Sequence, residues 1–239
     1  MNKLCILLTA TIRAADADFV ARKQHADREN DYFSAVKNYI QYGIPVVFVD
    51  NSDTISEKIT AITAEIPNFE YHTFQSAESY KGKGHGEKEI IEYAFAHSSI
   101  LNDADWIIKI SGRYTIDNIR EVIASLSNID ADVLGNFGRN LTWADSKIIF
   151  FTKGFYTDHF RPCLEKYLDE KNKIFFEHVL ARSIHSLIAA GGKYLPWPVY
   201  PFYSGVNGAN GKEIGFDFIR KLKFRTYYRM KKWVYHQIV

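Results

Sequence analysis

The sequence predicts an α/β protein built on a mainly parallel sheet flanked by helices. Three observations lead there. Apolar runs of strand length occur at residues 4–8, 45–49 and, interrupted by Lys109 alone, 106–110, and strands apolar on both faces belong inside a parallel sheet. Segments of helical period separate these runs, as crossovers between parallel strands require. The chain has 239 residues, 46% of them hydrophobic, enough for one large domain or at most two small ones.

Residues 3–12 read as the first, central strand. Lys3 and the apolar run after it imitate a short signal peptide, but Arg13 and Asp16 follow too soon for a cleavage region. A buried strand in a reducing, cytoplasmic protein is expected instead. Residues 19–43 are mostly helical, with Phe33, Val36, Tyr39 and Ile40 on one face and Gly43 as the stop. The second strand, 45–49, ends in the polar cluster Asp50-Asn51-Ser52-Asp53, one member of which caps a helix running to Ile66. Residues 69–74 make a third strand. Residues 81–86, three glycines alternating with Lys81, Lys83 and His85, form a flexible basic loop ahead of a helix over 87–98. A fourth strand at 106–110, a helix over 115–126, strands near 132–136 and 147–151, and an amphipathic helix over 175–190 closed by Gly191-Gly192 complete the body. No repeat or linker interrupts residues 1–215, so they read as one domain followed by a tail over 216–239.

Composition excludes several classes. With 17 Phe, 15 Tyr and 4 Trp the chain is not disordered. Cys5 and Cys163 form neither a disulfide framework nor a zinc knuckle. No apolar run approaches the roughly 18 residues of a spanning helix, so an integral membrane protein is not expected. Net charge is +2 but uneven: residues 217–239 hold seven basic side chains against Asp217, a net of +6, which leaves −4 for the rest.

In open α/β sheets the ligand crevice lies at the carboxyl ends of the strands. That rule selects Thr9-Ala10-Thr11, Asp50–Asp53, the 81–86 loop and Ser111-Gly112-Arg113-Tyr114, so that Asn51 and Ser111 join the candidate binding residues. The glycine-rich loop is either a cradle for a phosphate or diphosphate at a helix N-terminus or a mobile solvated loop. Its spacing matches neither the P-loop nor the dinucleotide fingerprint. Arg113 can fork onto a diphosphate or carboxylate, and Gly112 permits close backbone approach. Lys109, inside a strand, is expected in a structural ion pair, since a lone buried charge is expensive.

The succession Asp50-Asn51-Ser52 after strand two, Lys81-Gly-Lys-Gly-His-Gly-Glu87 before a helix, and Trp106-Ile-Ile-Lys-Ile-Ser-Gly-Arg-Tyr114 resembles small bacterial glycosyltransferases of capsule and O-antigen loci. The late stretch from Tyr203 to Lys212 is similar to their C-terminal Ser-Gly-x-x-Gly-x-x-Gly-Lys segment. The resemblance implies a GT-A-like, Rossmann-related fold taking a nucleotide-activated sugar, often UDP-linked. By that likeness Thr9, Thr11 and Asp50 hold the nucleoside, and Lys81, Lys83 and Lys212 lie near the diphosphate.

The chain departs from the common GT-A pattern at the metal site. Asp-x-Asp occurs at Asp16-Ala-Asp18, Asp103-Ala-Asp105 and Asp130-Ala-Asp132, none at the end of a central strand where a metal pair belongs. Lys-Ile-Ser-Gly-Arg-Tyr stands there instead. Cations do not ligate a cation, but they can neutralise a departing diphosphate in its place. Metal-independent transfer, with no divalent cofactor, is therefore expected. Candidate bases for the acceptor hydroxyl are Glu177, at the start of the 175–190 helix, where a carboxylate also suits the helix dipole, and His85. His159 and His185 read as structural.

The segment from Pro196 to Tyr203 either lines an acceptor groove with aromatic faces or packs over the sheet edge, and Trp143 shares that ambiguity. In the tail, Ile219, Leu222, Met230 and Trp233 fall near one helical stripe among the basic residues. A basic amphipathic helix of this kind suits an anionic membrane surface, which would bring the enzyme to a lipid-linked glycan acceptor at the inner face of the cell membrane. The alternatives are packing on the body and nucleic-acid contact, the last not expected. The reading is thus transfer of a hexose, with galactose the first candidate, from UDP to a surface glycan. A sugar nucleotidyltransferase is the rival enzyme, although the loop at Thr9–Arg13 lacks its longer glycine signature. A tethered, non-catalytic nucleotide- or glycan-binding scaffold is the rival of another class.

Overall fold

A computed structural model of the protein describes residues 3–14, 24–127, 129–207 and 211–238, with side chains to Met230. In β1 (Leu4–Ala10), Cys5 and Leu7 face one helical layer while Ile6 and Leu8 face the other, all at 0% exposure. Both faces are covered, which is why the run carries no polar alternation. β2 (Val46–Asp50), β3 (Phe69–Thr73) and β4 (Trp106–Ser111) lie parallel to it, followed in the chain by the short β5 (Tyr114–Ile116). β6 (Val133–Gly135), the hairpin of β7 (Phe137–Gly138) and β8 (Trp143–Ala144), β9 (Ile148–Thr152) and β10 (Tyr194–Pro196) come next. The central sheet has the order β10-β6-β9-β4-β1-β2-β3, and β9 alone runs antiparallel to its neighbours. The predicted mainly parallel α/β architecture is observed.

Strand order reverses between β1 and β4. Such a switch point opens a crevice at the carboxyl ends of the strands. β11 (Tyr203–Val206) and β12 (Glu213–Ile214) form a small antiparallel sheet with β5 beside that crevice.

Helices cover both faces. α1 (His25–Tyr39) ends through a 3₁₀ turn at Gly43, whose φ of 69° is the left-handed stop expected of it. α2 (Glu57–Thr63) is capped by Ser56, whose Oγ accepts from Ile59 N. α3 (Lys83–His97) starts inside the glycine-rich segment and is followed by α4 (Ser99–Asp103). The helix expected over 115–126 is shorter: residues 114–116 pair with β11, and α5 (Ile119–Leu126) begins after them. α6 (Lys153–Phe155) runs through a π turn into α7 (Arg161–Tyr167), and α8 (Phe176–Ala189) follows. α3, α7 and α8 pack on the face of Cys5 and Leu7, and α1 and α5 on the face of Ile6 and Leu8.

α9 (Phe218–Ile238) closes the chain. One side of it is docked: Tyr228 is 6% exposed, Phe224 and Tyr228 each stack near Tyr200 at 4.7 Å, and Lys221 and Arg225 pair with Asp117 and Glu121. The opposite side leaves Phe218, Ile219, Leu222 and Met230 exposed. Packing and an amphipathic outer face coexist in one helix. The side chain of Trp233 lies outside the described residues. Trp197 and Phe202 are 1% exposed in the core, so the 196–203 segment packs over the sheet, and Trp197, Tyr200, Pro201 and Tyr203 border a small recess of about 10 Å³. Among the described residues no helix is long and apolar enough to cross a membrane.

Candidate active site

The crevice at the β1–β4 switch point holds two connected chambers of about 510 and 650 Å³. The first is walled by Thr9, Thr11, Arg13, Asn51 and Ser52 at the ends of β1 and β2, and by Arg28 and Tyr32 of α1. The second lies under the β7–β8 hairpin and the start of α8, with Tyr114, Trp143, Phe175, Phe176 and Glu177 in its wall. Gly82, Lys83, Glu87, Ser111 and Arg113 line both and form the seam between them.

The turn after β4 reaches this seam because Gly112 has no side chain. Its N–H donates to Thr9 O at 2.8 Å, and a Cβ there would lie 2.8 Å from the same oxygen. The next residue, Arg113, is delivered into the cleft, and its buried Nη1 has no hydrogen-bond partner within the described chain. A buried unpaired donor is costly, and the residue that carries it lines both chambers. Lys83 stands beside it. Burial, then the guanidinium charges of Arg113 and Arg28, hold the Lys83 ammonium below its ordinary range.

The first chamber is preorganised by side chains spent on the chain itself. Thr11 Oγ1 donates to Asn51 Oδ1 at 2.7 Å, and Thr11 N donates to Tyr32 OH at 3.0 Å. Arg28 Nε donates to Thr11 O at 2.8 Å. Arg28 and Tyr32 carry no sequence signal, because only the docking of α1 brings them to the end of β1. Asp50 departs from its expected role as a nucleoside ligand. It is 0% exposed, and its carboxylate accepts from Ile12 N at 2.6 Å, Ser52 N at 2.9 Å and Thr54 N at 3.2 Å. It ties the loops after β1 and β2 together and does not face the cleft. Burial raises its carboxyl pKa, and those hydrogen bonds oppose the rise.

The glycine-rich segment is neither an open cradle nor a mobile loop. Lys81 ends a 3₁₀ turn, residues 83–86 form the first turn of α3, and Glu170, half-buried, caps it by accepting from Gly84 N at 2.8 Å and His85 N at 3.3 Å. Gly82, at φ 149°, leaves room for that carboxylate: a Cβ would lie 2.0 Å from Glu170 Oε2. Lys81 lines the second chamber but is paired with Glu78 at 2.7 Å.

Two other expectations are corrected. His85 turns away from the cleft toward Glu78, 3.5 Å from its Nδ1, and lines neither chamber, so it is no base for an acceptor there. Lys212 is exposed on the β11–β12 hairpin and lines neither chamber; Asn207 of that hairpin does reach the second. Residues 208–210 of the late glycine-rich stretch lie outside the described residues. Glu177 does enter the second chamber, where Ser146 Oγ donates to its Oε1 at 2.8 Å. Trp143 also lines that chamber, flanked edge-on by His178 and Phe175.

The end of β4 does not present the paired carboxylates that would hold a divalent cation there. At the carboxyl end of β4 stand a hydroxyl, a glycine and a guanidinium. Asp103 is at the opposite end of that strand, paired with Lys3 at 2.7 Å. Asp130 pairs with Lys193, and Asp132 accepts from Lys193 N at 2.8 Å. Asp16 and Asp18 lie outside the described residues. Among the described residues no group of three or more His, Cys, Asp and Glu side chains is arranged to hold a metal.

No protein-family model and no curated protein sequence matches the chain. Solved structures do. The chain is similar to a Desulfovibrio desulfuricans protein assigned as a nucleotide-diphospho-sugar transferase, at 13% identity over 82% of this chain and 80% of that one, with a TM-score of 0.46. It is similar to the inositol-1-phosphate CTP transferase from T. maritima, at 10% identity over 82% and 85%, with a TM-score of 0.45. It is also similar to the galactosyltransferase LgtC in complex with donor and acceptor sugar analogues, at 10% identity over 80% and 72%, with a TM-score of 0.49.

Proposed function

We propose that the protein is a GT-A-like glycosyltransferase that moves a hexose from a UDP-sugar to a surface-polysaccharide or lipid-linked glycan, without a divalent metal. The carrying observation is the guanidinium of Arg113, at the seam of two chambers with a buried donor unpaired and Lys83 beside it. The nucleoside occupies the chamber of Thr9, Thr11 and Asn51, and the diphosphate meets Arg113 and Lys83. The acceptor lies in the second chamber against Trp143, since sugar rings present apolar faces to aromatic side chains. Galactose is the donor sugar first to be tried.

In the reaction the acceptor oxygen bonds to the anomeric carbon as the bond from that carbon to the diphosphate oxygen breaks. Glu177 orients the acceptor hydroxyl and, where transfer inverts, takes its proton; where transfer retains, the proton goes to the departing diphosphate oxygen. Negative charge grows on the departing UDP, and fixed cations at the seam stabilise it more in the transition state than in the ground state. Arg113→Ala tests this. Turnover measured as UDP release should fall about 10²- to 10³-fold, as for loss of one preorganised donor, with the thermal midpoint kept. Unchanged turnover would remove Arg113 from the chemistry.

The outer face of α9 completes the reading. Its exposed apolar residues lie among Arg220, Lys223 and Arg229, a pattern that suits an anionic bilayer at about 1 kcal/mol per basic residue near the headgroups. A lipid-linked acceptor would be met there.

A further inference from the structure

Glu87 stands at the seam, and neither diphosphate neutralisation nor acceptor activation uses it. Its Oε1 accepts from Thr9 Oγ1 at 2.9 Å and is ion-paired with Lys109 Nζ. Lys109 is 0% exposed, and its ammonium also donates to Ser146 O at 2.7 Å. The Glu87 side chain is 22% exposed and lines both chambers, and no group of the described chain donates to its Oε2.

This pair is an expensive way to fill the interior of β4. A buried ion pair can often be replaced by apolar side chains with no loss of stability. What the pair does supply is a carboxylate locked in one position with one oxygen left over. A carboxylate oxygen accepts hydrogen bonds or binds a cation, and with Lys109, Lys83 and Arg113 already around this one a hydrogen-bond donor is the better ligand. Phosphate oxygens would be repelled. Sugar hydroxyls fit.

We propose that Glu87 is the residue that recognises the transferred sugar: Oε2 accepts from hydroxyls of the donor's glycosyl ring where it crosses from the nucleotide chamber to the acceptor chamber. Lys109 and Thr9 are its positioning residues. The inference rests on the UDP-sugar reading. It makes Glu87 a determinant of sugar specificity, because a site built to bond a hydroxyl discriminates strongly against analogues lacking it.

The test is calorimetric titration of UDP, UDP-galactose, UDP-glucose and UDP-N-acetylglucosamine into the unaltered protein, Glu87→Gln and Glu87→Asp. The expected result is that Glu87→Gln weakens the preferred UDP-sugar at least tenfold and UDP less than twofold, so that differences among sugars collapse. UDP binding reports that the variant is folded. Should Glu87→Gln strand Lys109 and unfold, Glu87→Asp, which keeps a carboxylate near the ammonium but retracts it by a methylene, gives the same split. In the unaltered protein at least one monodeoxy analogue of the preferred UDP-sugar should bind tenfold more weakly or worse. Parallel changes for UDP and UDP-sugar, or deoxy analogues that all bind like the parent, would overturn the role of Glu87 while leaving the donor reading intact. Failure of the unaltered protein to bind UDP or any UDP-sugar would overturn the donor reading itself, and the inference with it.

Discussion

Glu170 Oε2 accepts a hydrogen bond from Gly84 N at 2.8 Å, so an anion of the chain's own closes the N-terminus of α3. In the proposed complex the diphosphate is therefore met by side chains, those of Arg113 and Lys83, and not by this helix terminus. The glycines at 82 and 84 serve the approach of Glu170, with Phe176 also packed 3.0 Å from where a Gly84 Cβ would be.

Glu170→Ala should destabilise the fold by about 1 kcal/mol, the usual worth of a helix cap, read as a lower urea midpoint. Amide exchange at residues 84–86 should quicken. Glu170→Gln, which keeps an acceptor oxygen, should recover part of the loss. A midpoint unmoved by Glu170→Ala would show that the cap contributes nothing to stability.

Asp50→Asn separates support from binding. An amide there would set its own N–H₂ against the backbone donors of Ile12, Ser52 and Thr54 and leave at least one of them unpaired. The loss should be about 1–3 kcal/mol, a fall of several degrees in the thermal midpoint. UDP affinity of the folded fraction should hold within about twofold, because the carboxylate does not face the cleft. A large loss of affinity with an unchanged midpoint would return Asp50 to the site.

Lys83 gives a pH prediction with two opposite signs. Its folded pKa lies below its unfolded one, by burial and by the charges of Arg113 and Arg28. Between the two values the unfolded chain binds more protons, so this group makes stability rise with pH across that alkaline window. UDP binding needs the ammonium and should fall across the same window. Lys83→Met should abolish both trends and raise the midpoint of the ligand-free protein. Denaturant melts and titrations at stepped alkaline pH read the two slopes, and slopes of equal sign would contradict the assignment.

The tail prediction follows from its two faces. Truncation would strip Phe224 and Tyr228 from the core, so the informative variant is Ile219→Glu with Leu222→Glu, both on the exposed side. Partitioning onto vesicles containing phosphatidylglycerol should fall at least tenfold with the fold intact. Unchanged partitioning would leave α9 a packing element only.

What was legible in the sequence was local. The strands at 4–10, 46–50 and 106–111 are marked by their apolar runs, broken in the third by Lys109, and the switch-point rule points to Thr9, Asn51, Ser111 and Arg113, which line the cleft. Lys109 was legible too, because an ammonium inside a strand demands a partner, and Glu87 supplies it. The misses share one cause: the deciding partner is far away in sequence. Residues 81–86 read as a loop because their cap, Glu170, comes some 86 positions later. Residues 115 and 116 read as helix because β11, which makes them a strand, lies near residue 204. The family likeness made Asp50 a ligand, and nothing local shows that the β1 loop folds back over it.

The central claim is that fixed guanidinium and ammonium groups at the Arg113–Lys83 seam take the diphosphate without a metal. Calorimetric titration of UDP-galactose in EDTA, repeated with manganese, tests it most directly. The account predicts the same affinity in both buffers and at least a tenfold loss in Arg113→Ala. Binding that vanishes in EDTA and returns with manganese would contradict it.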